Sequence, residues 1–96
     1  MTRDDRAGLK CVIACSARRR LGGLIAEELA SLADAGDIRR LGEEACLVYS
    51  PAPANAIRDR LRERLEEGES LLVLEFEKWS GYGRGVDDAW LLARGH

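Results

Sequence analysis

CVIAC, residues 11–15, is a run of five uncharged residues with the β-branched pair Val12 and Ile13 inside it. Ser16 and the basic cluster Arg18-Arg19-Arg20 follow. A strand with one face in water alternates polar and apolar side chains, whereas one that is apolar on both sides is buried on both. Ala45-Cys46-Leu47-Val48-Tyr49 reads the same way. Two such strands belong in the middle of a sheet, and the rest of the chain has to cover them.

Between these runs the period becomes helical. Leu21, Ile25, Leu29 and Leu32 fall on one stripe, and Gly36 suits the stop. Gly22 and Gly23 each cost the first turn about 1 kcal/mol relative to Ala. Asp37 to Leu41 alternates charged and apolar residues, and Gly42-Glu43 closes it as a hairpin onto Ala45–Tyr49. Pro51 and Pro53 then break extended pairing and open a helix. Ala54, Ile57, Leu61 and Leu65 stripe that helix among charged neighbours, and Gly68 ends it. Ser70 to Trp79 returns to a period of two, with Leu72, Leu74 and Phe76 on one side and Leu71, Val73, Glu75 and Glu77 on the other. Val86, Trp90 and Leu91 or Leu92 predict a short last helix between Val86 and Arg94.

The order β-α-β-β-α-β plus a terminal helix predicts an α+β ferredoxin-like sandwich: a four-stranded antiparallel sheet, two helices on one face and a short C-terminal helix. Right-handed crossovers place the first and third strands side by side at the centre. Residues 1–9 are expected to be a flexible N-terminus and 10–96 a single domain.

Ninety-six residues with 46% hydrophobic and 33% charged side chains describe a globular chain with a modest core. A net charge of −2 gives no global pull towards nucleic acid or an anionic membrane, so any such affinity must come from clustered arginine. Thirteen of the fifteen cations are Arg, which suits forked hydrogen bonding. No stretch approaches the roughly 20 apolar residues of a membrane helix, and MTRDDRAGLK lacks a signal-peptide pattern. Three cysteines then read as reduced thiols of a cytoplasmic protein.

If both helices lie on one face, the other face is left with the outward side chains of the central strands. Cys46, Val48, Leu71 and Val73 are expected there, as a patch larger than a monomer normally exposes. Either the terminal helix folds back over it or a second copy of the chain covers it; a homodimer through these four residues is the expectation.

The second half of the chain carries a resemblance. Ala45-Cys46-Leu47-Val48, the proline loop, Ile57-Arg58-Asp59-Arg60-Leu61-Arg62, Leu71-Leu72-Val73-Leu74-Glu75, Trp79-Ser80-Gly81-Tyr82-Gly83 and Asp88-Ala89-Trp90-Leu91 follow in order. This progression resembles the SinR-like small bacterial proteins, themselves similar to the CRISPR-associated adaptation proteins of ferredoxin-like fold. The resemblance implies the fold and dimerisation. The CRISPR-associated relatives place a metal-binding Asp at the end of the first strand; this chain has Ala14-Cys15-Ser16-Ala17 there. A hard cation wants carboxylates, so the implied nuclease chemistry lacks its ligand.

The remaining constellations read as follows. Arg18, Arg19 and Arg20 are the candidate nucleic-acid grip, since each neutralised phosphate adds affinity; the alternative is a solvated loop paired with Glu27, Glu28 or other acids. Gly81-Tyr82-Gly83-Arg84-Gly85 reads as a turn setting Trp79 and Tyr82 against the domain, because Asp87 and Asp88 would repel an anion while capping the next helix. Arg58, Arg60, Arg62 and Arg64 lie among acids at helical spacing, a salt-bridged surface. Glu28 reads as a rim acid paired with Arg. Cys11 and Cys15 sit too far apart along one strand face, about 13 Å at ~3.3 Å per residue, to share a zinc ion or a disulfide. His96 is the only histidine. No catalytic residue, cofactor or metal is assigned. The expected function is a non-catalytic homodimeric binding module, with RNA or DNA as the candidate partner and no membrane. The alternatives are a metal-dependent nuclease or toxin-like RNase using Glu43 or Glu44, and a regulatory domain for a small ligand.

Overall fold

The computed structural model of the chain describes residues 7–95. Four strands, β1 (Gly8–Cys15), β2 (Ile38–Arg40), β3 (Ala45–Ser50) and β4 (Ser70–Phe76), form one antiparallel sheet in the order β2-β3-β1-β4. Three helices accompany it: α1 (Gly22–Leu29), α2 (Ala54–Arg62) and α3 (Asp88–Gly95). The two doubly apolar strands, β1 and β3, pair at the centre, with Val12 opposite Cys46 and Cys11 opposite Leu47. Part of the expected flexible N-terminus is strand instead. Gly8 and Leu9 belong to β1 and Leu9 is core, because Leu9 continues the parity of Cys11 and packs beside Trp90. Residues 1–6 of that N-terminus, and His96, lie outside the described residues.

The helix stripes land where their spacing puts them, but both helices are shorter than the stripes. α1 closes at Leu29, and Leu32 packs on the core from a turn in which its N–H donates to the Leu29 carbonyl at 2.8 Å. α2 ends at Arg62; tighter three-residue bonds from Arg64 and Leu65 carry Leu65 onto the core. This i→i+3 tightening is how helix ends satisfy orphan carbonyls.

The sheet has one core on each face. Leu21, Ile25 and Leu29 of the α1 region and Ile57 and Leu61 of α2 pack on Val12, Ala14, Cys46 and Val48, with Leu71 and Val73 against the same cluster. On the opposite face Trp90 and Leu91 of α3 pack on Leu9 and Leu47, bordered by Cys11, Leu41, Tyr49 and Phe76. The expected dimer residues Cys46, Val48, Leu71 and Val73 therefore lie on the helix-covered face, not the open one. In register Val12 meets both Cys46 and Val73, and Ala14 meets Leu71, so all four share the parity onto which α1 and α2 close. Cys46 and Val48 are fully buried. Period-two spacing separates the two sets of side chains but does not say which set the crossing helices cover.

α3 is held over the second face by more than apolar contact. Asp87 caps it, its Oδ1 accepting the Trp90 N–H at 3.1 Å. The Trp90 indole donates to the Gly36 carbonyl at 2.6 Å, and the Arg94 guanidinium lies 4.6 Å from its ring centroid while donating to Asp37 at 2.8 Å. An indole N–H satisfied by a carbonyl, with a cation over the ring face, anchors both the orientation and the burial of the tryptophan.

Candidate functional site

The arginine loop begins where β1 ends. Ser16 Oγ accepts the backbone N–H groups of Arg18 and Arg19 at 3.1 and 3.2 Å, the local hydrogen bonding that lets a serine turn the chain. Its hydroxyl donates to Glu69 Oε2 at 2.9 Å. Arg19 grips the same carboxylate with both arms, Nε to Oε2 at 2.7 Å and Nη2 to Oε1 at 2.8 Å. Glu69 also accepts the Glu66 N–H at 2.7 Å. These donors hold its carboxyl at about 2, the Arg19 hydrogen bonds first and the Glu66 N–H next. Arg19 thus ties the β1–α1 loop to the α2–β4 loop.

Its two neighbours point outward. Arg18 pairs with Glu66 at 2.8 Å and Arg20 with Glu43, both through largely exposed side chains. Exposed pairs of this kind contribute about 0–1 kcal/mol, so Arg18 and Arg20 can be drawn to another anion at small cost while Arg19 cannot. A cleft of about 450 Å3 lies over the loop, lined by Ser16, the three arginines and Glu44 among others. Of the three sequence-predicted residues, two are therefore available to a ligand. Glu43 and Glu44, the alternative acids, are exposed at the β2–β3 turn.

Sequence reasoning passed over Lys10. It is 3% exposed, shares the parity of Val12, and donates from Nζ to the Ser50 carbonyl at 2.5 Å, with a longer contact to Gly8 at 3.4 Å. Burial pushes its ammonium below the ordinary lysine range, and the charge of Glu75, opposite it in register, pulls part of the way back. Glu75 is itself engaged, accepting the first N–H of α2, that of Ala54, at 2.7 Å. Lys10 and Glu75 line a cleft of about 590 Å3 at the end of the β1–β4 pair, but both spend their polar atoms on strand and helix ends. The signal available in sequence was the strand parity, continued two residues back from Val12.

Glu28 sits between Arg64, which donates to Oε2, and Arg60 at 3.3 Å from Oε1. Its carboxyl is held below the usual range by the Arg64 hydrogen bond above all. The α2 arginines thus reach across to α1 as well as to their own helix, where Arg58 and Arg62 share Asp59. Cys11 faces α3 and Cys46 faces α1 and α2, and burial raises both thiols, Cys46 to about 11. Among the described residues no group of three or more His, Cys, Asp or Glu side chains is placed to hold a metal ion. No helix among them is long and apolar enough to cross a membrane.

The glycine loop turns the chain. A Cβ on Gly81 would meet Val86 Cγ1 at 2.7 Å, and Gly83 has φ +106° with its carbonyl accepting the Val86 N–H at 3.3 Å. Trp79 packs on the α3 core as expected, but Tyr82 does not: it is 97% exposed.

The apolar surface that remains lies on the α3 side of the sheet, beyond the reach of α3. Leu72 is 53% exposed and Leu74 44%. Leu72 is opposite Ile13 and Leu74 opposite Cys11, so the strip runs across β4 onto β1. Leu92 of α3 is exposed as well. Comparison of the chain with protein-family models, with curated proteins and with solved structures finds no match.

Proposed function

We propose that the protein is a homodimeric, non-catalytic binding module of ferredoxin-like fold. The strand order β2-β3-β1-β4, with α1 and α2 sharing one face, supports the fold reading. The observation that carries the dimer is the pair Leu72 and Leu74, half exposed and contiguous with Ile13 on a face that α3 covers only at its other end. Fully burying a leucine is worth about 1.5–3 kcal/mol, so the exposed halves of four leucines across a two-fold axis contribute about 4 kcal/mol. That alone corresponds to millimolar association, and the strip acts as part of a larger contact. The test is thermal unfolding at several protein concentrations. The unmodified chain has a midpoint that rises with concentration, as mass action requires of an associating native state. The Leu72→Lys, Leu74→Lys double variant has one that does not. A concentration-independent midpoint for the unmodified chain removes the reading.

A phosphate-bearing polymer, RNA or DNA, is the ligand class that fits the outward pair Arg18 and Arg20. Support comes from the cleft above the loop and the weakness of the ion pairs that hold them. Two-fold repetition would present two such pairs per particle.

A further inference from the structure

Among the described residues β4 is an edge strand, seven residues long, and its own sequence lacks the devices that normally blunt an edge. Within Ser70–Phe76 there is no proline, no glycine bulge and no lysine; Glu75 is the one charge, and its carboxylate is turned back onto Ala54. A long, apolar, unprotected edge is a template for another strand. The opposite edge, β2, has only three residues, two of them arginine, and so carries its own protection.

The sequence of β4 also selects the strand that fits it. In antiparallel pairing of two copies about a two-fold axis, residues directly opposite share a face, so the register is set by which residue sits on the axis. With Glu75 on the axis, two carboxylates would face each other, a destabilising pair. With Leu72 there, Glu75 and Phe76 fall beyond the ladder. With Val73 on the axis all seven residues pair: Leu72 with Leu74, Leu71 with Glu75, Ser70 with Phe76. That register brings the four half-exposed leucines together on the uncovered face and opposes no like charges.

We propose that two copies of this chain join edge to edge through β4, centred on Val73, into one continuous eight-stranded antiparallel sheet. The inference rests on the homodimer reading and deepens it by naming the strand and the register. The leucine strip then crosses the junction instead of lying at a margin, and both α2 helices stand on the same side of the joined sheet. The backbone groups of β4 that point away from β1 find partners, which side-chain contact alone would not supply.

Cysteine cross-linking in a Cys11→Ser, Cys15→Ser background tests it, because a disulfide needs Cα atoms within about 7 Å and Cys11, directly opposite Leu74 in β1, would otherwise capture a cysteine placed there. Leu72→Cys and Leu74→Cys are exposed positions that leave both cores intact. Mixed and oxidised, the two variants yield a band at twice the chain mass in about half the protein, the share of mixed dimers in a two-fold assembly, while each variant alone stays single. Hydrogen exchange on the unmodified chain supplies the second readout. Alternate β4 amides are protected at high concentration and lose at least about tenfold of that protection on dilution to monomer. A dimer by mass in which the mixture links no better than either variant alone, or in which the β4 amides that point away from β1 exchange freely, overturns the edge pairing and leaves the homodimer standing. A monomer at every concentration overturns both.

Discussion

Gly22 and Gly23 are neighbours in the first turn of α1, yet replacing each with alanine has opposite consequences. A Cβ on Gly23 meets nothing closer than Arg40 Nη1 at 3.8 Å, and the position is exposed. Alanine there should stabilise the protein by about 0.5–1 kcal/mol through reduced backbone entropy in the unfolded chain and better helix propensity. A Cβ on Gly22 would lie 2.7 Å from the Glu43 carbonyl oxygen and 2.9 Å from its carbon. That oxygen accepts the Gly22 N–H at 2.8 Å, joining α1 to the β2–β3 turn. The clash is with backbone, so the turn must move and the hydrogen bond lengthen. Overpacking of this kind costs about 1–3 kcal/mol and a lost hydrogen bond about 1 more, which outweighs the propensity gain. At about 4–8 °C per kcal/mol for a domain of this size, Gly23→Ala should raise the melting midpoint by about 3–6 °C, and Gly22→Ala should lower it by at least about 5 °C. Differential scanning calorimetry of the two variants beside the unmodified chain decides it. A Gly22→Ala protein as stable as Gly23→Ala would refute the close approach of α1 to the β2–β3 turn.

Two further outcomes follow from the loop built around Glu69. Its carboxyl is lowered from an ordinary 4.5 to about 2, so the interaction is present in full above 4.5 and is lost as pH falls towards 2. Urea unfolding at stepped pH should therefore show an acid limb in that window that Glu69→Gln flattens; an unchanged limb would mean that Arg19 does not hold Glu69 in solution. Arg18→Ala with Arg20→Ala should abolish a salt-dependent mobility shift of labelled RNA or DNA while leaving the melting midpoint within about 3 °C, since exposed pairs carry little stability. Absence of any shift by the unmodified chain at low salt removes nucleic acid as the ligand.

Much of the architecture could be read from local pattern. The doubly apolar runs around Val12 and Leu47 mark the central strands because burial on two faces leaves no room for alternation, and the Ile57–Leu61 stripe marks α2 because its neighbours are charged. Long-range choices left no local trace. Nothing within β3 or β4 says that Cys46, Val48, Leu71 and Val73, and not Leu47, Leu72 and Leu74, meet α1 and α2; that follows from how the crossovers close in three dimensions. The docking of α3 depends on the Gly36 carbonyl, 54 residues from Trp90, and the role of Arg19 on Glu69, 50 residues away. Lys10 was passed over for another reason: strand parity put it on the buried side, but a lysine reads as surface, and the Ser50 carbonyl at the end of β3 that makes its burial tolerable lies 40 residues away. In the arginine cluster the residue type was readable, but which two of three remain available was not.

The most direct test of the account is the mass of the unmodified chain in solution. Sedimentation equilibrium over a wide dilution series should find a particle of twice the 10.6 kDa chain at high concentration, dissociating on dilution. A single 10.6 kDa species throughout would mean that water tolerates Leu72, Leu74 and the bare β4 edge, and would contradict the claim that they exist to meet a second copy.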